Sequence, residues 1–198
     1  SQIALHWVNN GVALAGIQAR TVLYSGQSND KVVIVDHCHN ARAFGLGMWL
    51  TEGLNYAKDY CYFRTEQLQA SRKVFKLHPS KNLVVLEFPH NYHPASAINR
   101  MVDGMIPDQF ISKRWLEIRQ ALVLHNPDFD DVCGHIRREK NNAPTSSGVA
   151  AGGVSEFWIY DPEVLVEIAF KVAPSTKKEF WKQYGKDAQA LDLNFFAT

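Results

Sequence analysis

FGLGMWLTEGLNYAKDYC, residues 44–61, changes character midway. Gly45 and Gly47 bracket a bend, Met48 to Thr51 forms a short apolar run, and from Asn55 onward aromatic and apolar residues recur at helical spacing. That pattern predicts a helix over 55–69. Upstream, LYSGQSND, residues 23–30, carries a strand-like run into a Ser-Gly corner, where Ser, Gly, Asn and Asp each favour a turn for its own local reason. The β-branched and apolar character of 21–24 and 32–36 predicts two short buried strands. The first third therefore reads as strand, corner, strand, helix.

Downstream, 73–77 and 83–88 read as strands joined by HPSKN, a Pro-containing connection that suggests a hairpin and a sheet growing by antiparallel additions. From Asp108 to Arg138 apolar residues fall three and four apart, with HNPDFDD, residues 125–131, as a break and a fresh helix start. NNAPTSSGVAAGG, residues 141–153, is a small-residue loop. Strands at 156–160 and 164–172 flank Asp161-Pro162, and a charged-faced helix starts at Lys177. Strands and helices mixed without a repeating unit predict an α+β fold.

The 198 residues suit one domain over 1–198. An apolar fraction of 46%, a charged fraction of 21% and a net charge of +1 are ordinary for a globular protein and supply no basic footprint for nucleic acid. Three scattered cysteines cannot frame a disulfide-stapled fold. Nothing near the start has the order of a signal peptide, and no stretch approaches the ~20 apolar residues that span a bilayer. The expectation is a chain soluble where it acts, in cytoplasm or nucleus, or as an effector in a host cytosol, with no membrane partner.

Several chemical motifs fall away on inspection. Gly45-x-Gly47 lacks the third glycine and the βαβ setting of a dinucleotide fingerprint. DHCHN, residues 36–40, with His90 and His93, holds zinc-type ligands, but adjacent ligands on a strand point to opposite faces, so no metal site is expected. Ser25 is not in a Gly-x-Ser-x-Gly elbow and Cys38 has no identifiable base, which leaves neither as a nucleophile. RREK, residues 137–140, reads as the solvated end of a helix.

LYSG (23–26), FGLGMWLTEGLNYAKDYC (44–61) and SEFWIYDPEVLVEIAFKV (155–172) together resemble the ADP-ribosyltransferase fold, specifically its poly(ADP-ribose) polymerase-like branch with His, Tyr and Glu signatures. The order and approximate spacing of the three motifs match that branch. The resemblance implies a split antiparallel β-sheet core with flanking helices, and NAD as a substrate that is cleaved between nicotinamide and ribose. Glu156 matches the family's catalytic glutamate. Gly26 matches the glycine whose backbone binds the nicotinamide carboxamide, Tyr60 the aromatic residue that stacks on the ring, and Trp49 the tyrosine forming the opposite wall. Two positions depart from the pattern: Ser25 stands where the family has histidine at the adenosine ribose, and Ala57 replaces a serine that bonds the carboxamide. Arg20, His37 and His39 are nearby in sequence as compensating ligands.

Breaking the nicotinamide–ribose bond produces an oxocarbenium-like ribose, and a fixed carboxylate near C1′ stabilises that charge. The resemblance implies transfer of ADP-ribose to a macromolecular acceptor, with protein favoured and nucleic acid also open, and the lack of any sign of the helical regulatory domain of chain-elongating relatives makes a single unit the expectation. Two other activities remain open: NAD hydrolysis, and an inactive module of the same fold that binds protein or nucleotide.

Overall fold

The computed structural model describes residues 2–27, 47–62, 72–89, 107–138, 155–186, 191 and 194–196. In chain order these are α1 (Gln2–Asn9), β1 (Ala13–Ile17), β2 (Leu23–Gln27), β3 (Met48–Thr51), α2 (Leu54–Cys61), β4 (Lys73–Pro79), β5 (Leu83–Phe88), α3 (Pro107–His125), a 3-10 turn (Pro127–Asp131), β6 (Val132–Arg138), β7 (Ser155–Ile159), a second 3-10 turn (Pro162–Val164), β8 (Leu165–Val172) and α4 (Lys177–Tyr184). The α+β expectation holds. The expected strand at 32–36, the loop at 141–153, and His37, Cys38, His39, His90 and His93 lie outside the described residues.

All eight strands join one sheet in the order β1-β5-β6-β7-β3-β2-β4-β8. Every neighbouring pair is antiparallel except β5 with β6. Chain reach dictates the shape of this sheet. Ser80, Lys81 and Asn82 alone connect β4 to β5, a link that spans at most about 14 Å. Five strand spacings separate β4 from β5 in the sheet order, which on a flat sheet would be roughly 24 Å. The sheet must therefore curl so that the β1–β5 side lies over the β2–β4 side. The inner core confirms the curl: Ile17, Leu83 and Val85 from one side cluster with Leu23, Phe75 and Leu77 from the other.

The outer face carries the helices. One cluster packs α1 and α3 against β5 through Trp7, Ile118, Leu122, Leu86 and Phe88. Another packs α2 and α4 over the β3, β4 and β7 region through Ala57, Cys61, Phe180, Trp49, Val74 and Trp158. Thr176 caps α4 by accepting from the Glu179 N–H at 3.2 Å, and Gly185 ends it with φ 85°. No described helix is long and apolar enough to cross a membrane.

Four sequence expectations are corrected. Ser25 and Gly26 form no corner but lie within β2, paired with Phe75 and Val74 of β4. The strands at 73–77 and 83–88 form, but they are not a hairpin: β4 pairs with β2 and β8, and β5 with β1 and β6, because HPSKN crosses between the two sides of the curled sheet. The helical reading of 108–138 holds only to His125; after the 3-10 turn the chain becomes β6, not a second helix. Val132 and Ile136 sit four apart, which mimics helical spacing, yet in β6 alternation places Gly134 and Ile136 beside Ile159 and Phe157 of β7. Arg137 and Arg138 consequently belong to a strand and not to a helix end.

Candidate functional site

The ladder between β2 and β3 is where the sheet gives way. Tyr24 pairs with Thr51, and that is the whole β2–β3 register among the described residues. Continued antiparallel pairing would set Gly26 opposite Trp49, but the two do not pair. The Ser25 hydroxyl instead donates to the Trp49 carbonyl at 2.8 Å, so a side chain replaces a missing ladder bond. Gln27 Nε2 approaches the same hydroxyl at 3.4 Å.

Faces follow from register. Gly26 lies opposite Val74, which belongs to the α2 side, whereas Ser25 lies opposite Phe75 of the inner core. Gly26, Trp49, Trp158 and Glu156 share the α2 face, since Trp49 pairs with Trp158 and Glu156 lies two residues before Trp158 on β7. Ser25 belongs to the opposite face. Gly47, with φ 84°, enters β3 so close to β7 that an added β-carbon would lie 2.2 Å from the Ile159 carbonyl oxygen, and this contact sets where Trp49 begins.

Glu156 is 4% exposed and is met by side chains from two other elements. Tyr56, on α2, donates its hydroxyl to Glu156 Oε1 at 2.7 Å. Arg137, directly opposite on β6, places a guanidinium nitrogen 4.0 Å from Oε2. The neighbouring Ser155 N–H donates to Glu52 Oε1 at 2.6 Å, which pins the start of β7 to the β3–α2 corner. The Tyr56 ring is itself set by an edge contact with Trp49, centroids 5.5 Å apart. A carboxylate this deeply buried is costly to ionise without such partners, and two other elements, α2 and β6, supply them.

The expected site residues thus divide. Gly26, Trp49, Ala57 and Glu156 gather around the β2–β3 break on the α2 side. Ser25 borders the same break from the inner face, with its hydroxyl engaged. Tyr60 lies in the last turn of α2, after Ala57, and only its backbone is described. Arg20 sits in the turn before β2, its N–H donating to the Pro79 carbonyl. Tyr56 and Arg137 were not anticipated. No local pattern points to Tyr56, because its partner Glu156 is 100 residues away in sequence.

Among the described residues no group of His, Cys, Asp and Glu side chains is placed to hold a metal ion. No protein-family model matches this chain, and no curated protein does either.

Proposed function

We propose that the chain is an NAD-dependent mono-ADP-ribosyltransferase that moves ADP-ribose to a macromolecular acceptor, a protein side chain being the favoured one. One observation carries the reading: a buried carboxylate, Glu156, oriented by Tyr56 beside the break between β2 and β3. In this reading nicotinamide binds at the strand edge left by that break, with Gly26 backbone as its hydrogen-bonding partner, Trp49 as one wall and Tyr60 as the stacking ring. The C1′–N bond breaks, nicotinamide leaves with the bonding pair, and Glu156 stabilises the cationic ribose until an acceptor oxygen or nitrogen attacks. The site excludes bulk water from the carboxylate, which strengthens that electrostatic contribution.

A second reading is favoured by Ser25. Its proton is already given to Trp49, so it differs from a ribose ligand waiting to donate, as expected of an inactive binding module of the same fold. Incubation of wild type and Glu156→Gln with labelled NAD and cell lysate separates the possibilities, with nicotinamide and labelled macromolecule measured separately. Transfer predicts both products from wild type and at least a ~100-fold loss in the variant. Nicotinamide without label means hydrolysis, and neither product from wild type means the module.

A further inference from the structure

We propose that Arg137 is a positioning residue for this reaction, fixing the second oxygen of Glu156 while Tyr56 fixes the first, so that the glutamate meets substrate charged and in one orientation. The proposal rests on reading Glu156 as the group that stabilises the ribose cation. Its basis is register. Arg137 and Glu156 are opposed residues of the antiparallel β6–β7 ladder, and opposed residues share a face and lie within side-chain reach. The separation of 4.0 Å makes the contact an ion pair and not a direct hydrogen bond, so the cation acts on Glu156 through its field.

Tyr56, Thr51 and Glu52, which neighbour Glu156 from the other elements packed against it, are uncharged or anionic. From α2, Glu156 meets the Tyr56 hydroxyl; from β3, it is opposed by Thr51, which is uncharged; along its own strand, the adjacent Ser155 N–H is held by the Glu52 carboxylate. On the far side of Arg137, β5 presents Phe88 at the same register, a buried ring with no charge. Arg137 is thus a cation that faces Glu156 across the ladder, and Glu52 lies at the start of the same strand. Without the cation, burial favours the protonated carboxyl, and a neutral carboxyl gives the developing ribose charge much less stabilisation.

The order of strands adds a division of labour. β3 and β2, with the break between them, lie on one side of β7, and β6 lies on the other. Arg137 thus holds Glu156 from the side away from the nicotinamide position. Its loss should damage the chemical step and spare NAD binding.

The test is steady-state nicotinamide release by wild type, Arg137→Gln and Arg137→Lys between about pH 5.5 and 9, with a melting curve for each. We expect Arg137→Gln to lower kcat roughly tenfold near neutral pH with KM for NAD within about twofold, as for a group that acts in the transition state. Its activity should also begin to fall at a higher pH on acidification, and Arg137→Lys should recover most of the loss. An unchanged kcat and pH profile in Arg137→Gln overturns the proposal. So does an equal loss at every pH that lysine does not rescue and that tracks the melting temperature, which is the behaviour of a purely structural residue. No nicotinamide from wild type removes the reading of Glu156 and this proposal with it, an outcome distinct from an active enzyme indifferent to Arg137.

Discussion

A β-carbon added to Gly26 would lie 1.7 Å from the carbonyl oxygen of Ala57. The same atom would be 2.8 Å from the Ala57 carbonyl carbon and 3.2 Å from the Cys61 backbone nitrogen, so what it meets is the helix backbone itself. Strand β2 and helix α2 therefore touch through main chain, and this contact brings Tyr56 and Ala57 up to the break in the sheet. The glycine is required by packing whatever ligand the site takes.

Gly26→Ala should then be costly to the fold as well as to binding. A flexible side chain could move aside, but a helix carbonyl can move only with its helix, so overpacking by about 3 kcal/mol or more is expected. In a chain of this size that corresponds to a fall in melting temperature of roughly 6–12 °C. Thermal denaturation within a degree or two of wild type would show that α2 can shift without cost.

Tyr56→Phe isolates the hydroxyl that faces Glu156. The ring contact with Trp49 survives, while Oε1 loses its donor. We expect kcat for nicotinamide release to fall about tenfold with KM for NAD little changed, since the lost bond acts on the carboxylate and not on the substrate. A loss confined to KM would move Tyr56 from orienting Glu156 to contacting NAD.

Legibility in the sequence followed the range of the forces involved. β5 is predicted to the residue at 83–88, β4, β7 and β8 within a few residues and the start of α4 at Lys177, because alternation and flanking turn residues are local signals. α1 and β1 were passed over, since QIALHWVN and ALAGI are too short for either period to stand out. β6 was hidden by the chance helical spacing of Val132 and Ile136. Glu156, Gly26, Trp49 and Ala57, which the fold gathers around the β2–β3 break, were named from short motifs. Tyr56 and Arg137 depend on α2 and β6 converging on β7, which no local pattern encodes.

Alkaline stability should report the buried thiol of Cys61. Burial pushes this thiol up from 9.0 to about 12, and it donates to the Lys73 carbonyl at 3.1 Å. Below about pH 9 both folded and unfolded chains keep the proton; between there and about pH 12 the unfolded chain releases it while the folded chain holds it, so stability falls with rising pH. Burial raises Tyr62, Cys133 and Tyr160 as well, with the same sign. Lys58 is lowered by desolvation and opposes them: up to 10.5 its unfolded form binds more protons, which favours the folded state as pH rises. Urea unfolding at about pH 8, 9.5 and 10.5 should show a net decline in wild type and a shallower one in Cys61→Ala. Parallel declines in the two proteins would assign the effect to the other groups.

Ser25 decides between a ligand and a brace. Its side chain is 2% exposed, lies opposite Phe75 and gives its proton to the Trp49 carbonyl just where β2 and β3 stop pairing. Ser25→Ala removes that donor and leaves a buried carbonyl short of one bond, a loss of about 1–3 kcal/mol. The melting temperature should drop by roughly 2–12 °C. If the hydroxyl also bonds NAD, calorimetric titration of the same variant should show binding weakened by a further ~0.5–1.5 kcal/mol. Thermal loss with unchanged NAD affinity makes Ser25 a brace that holds the edges of the break together. Ser25→His sharpens the comparison. The larger imidazole must either displace the inner-face packing around Phe75 or turn toward the break, where its ring nitrogens can serve as ligands. A destabilised protein with weaker NAD binding means that the serine is the residue this packing was built around. A stable protein that binds NAD more tightly means that wild-type β2 lacks a ribose ligand that the surrounding fold can still accommodate.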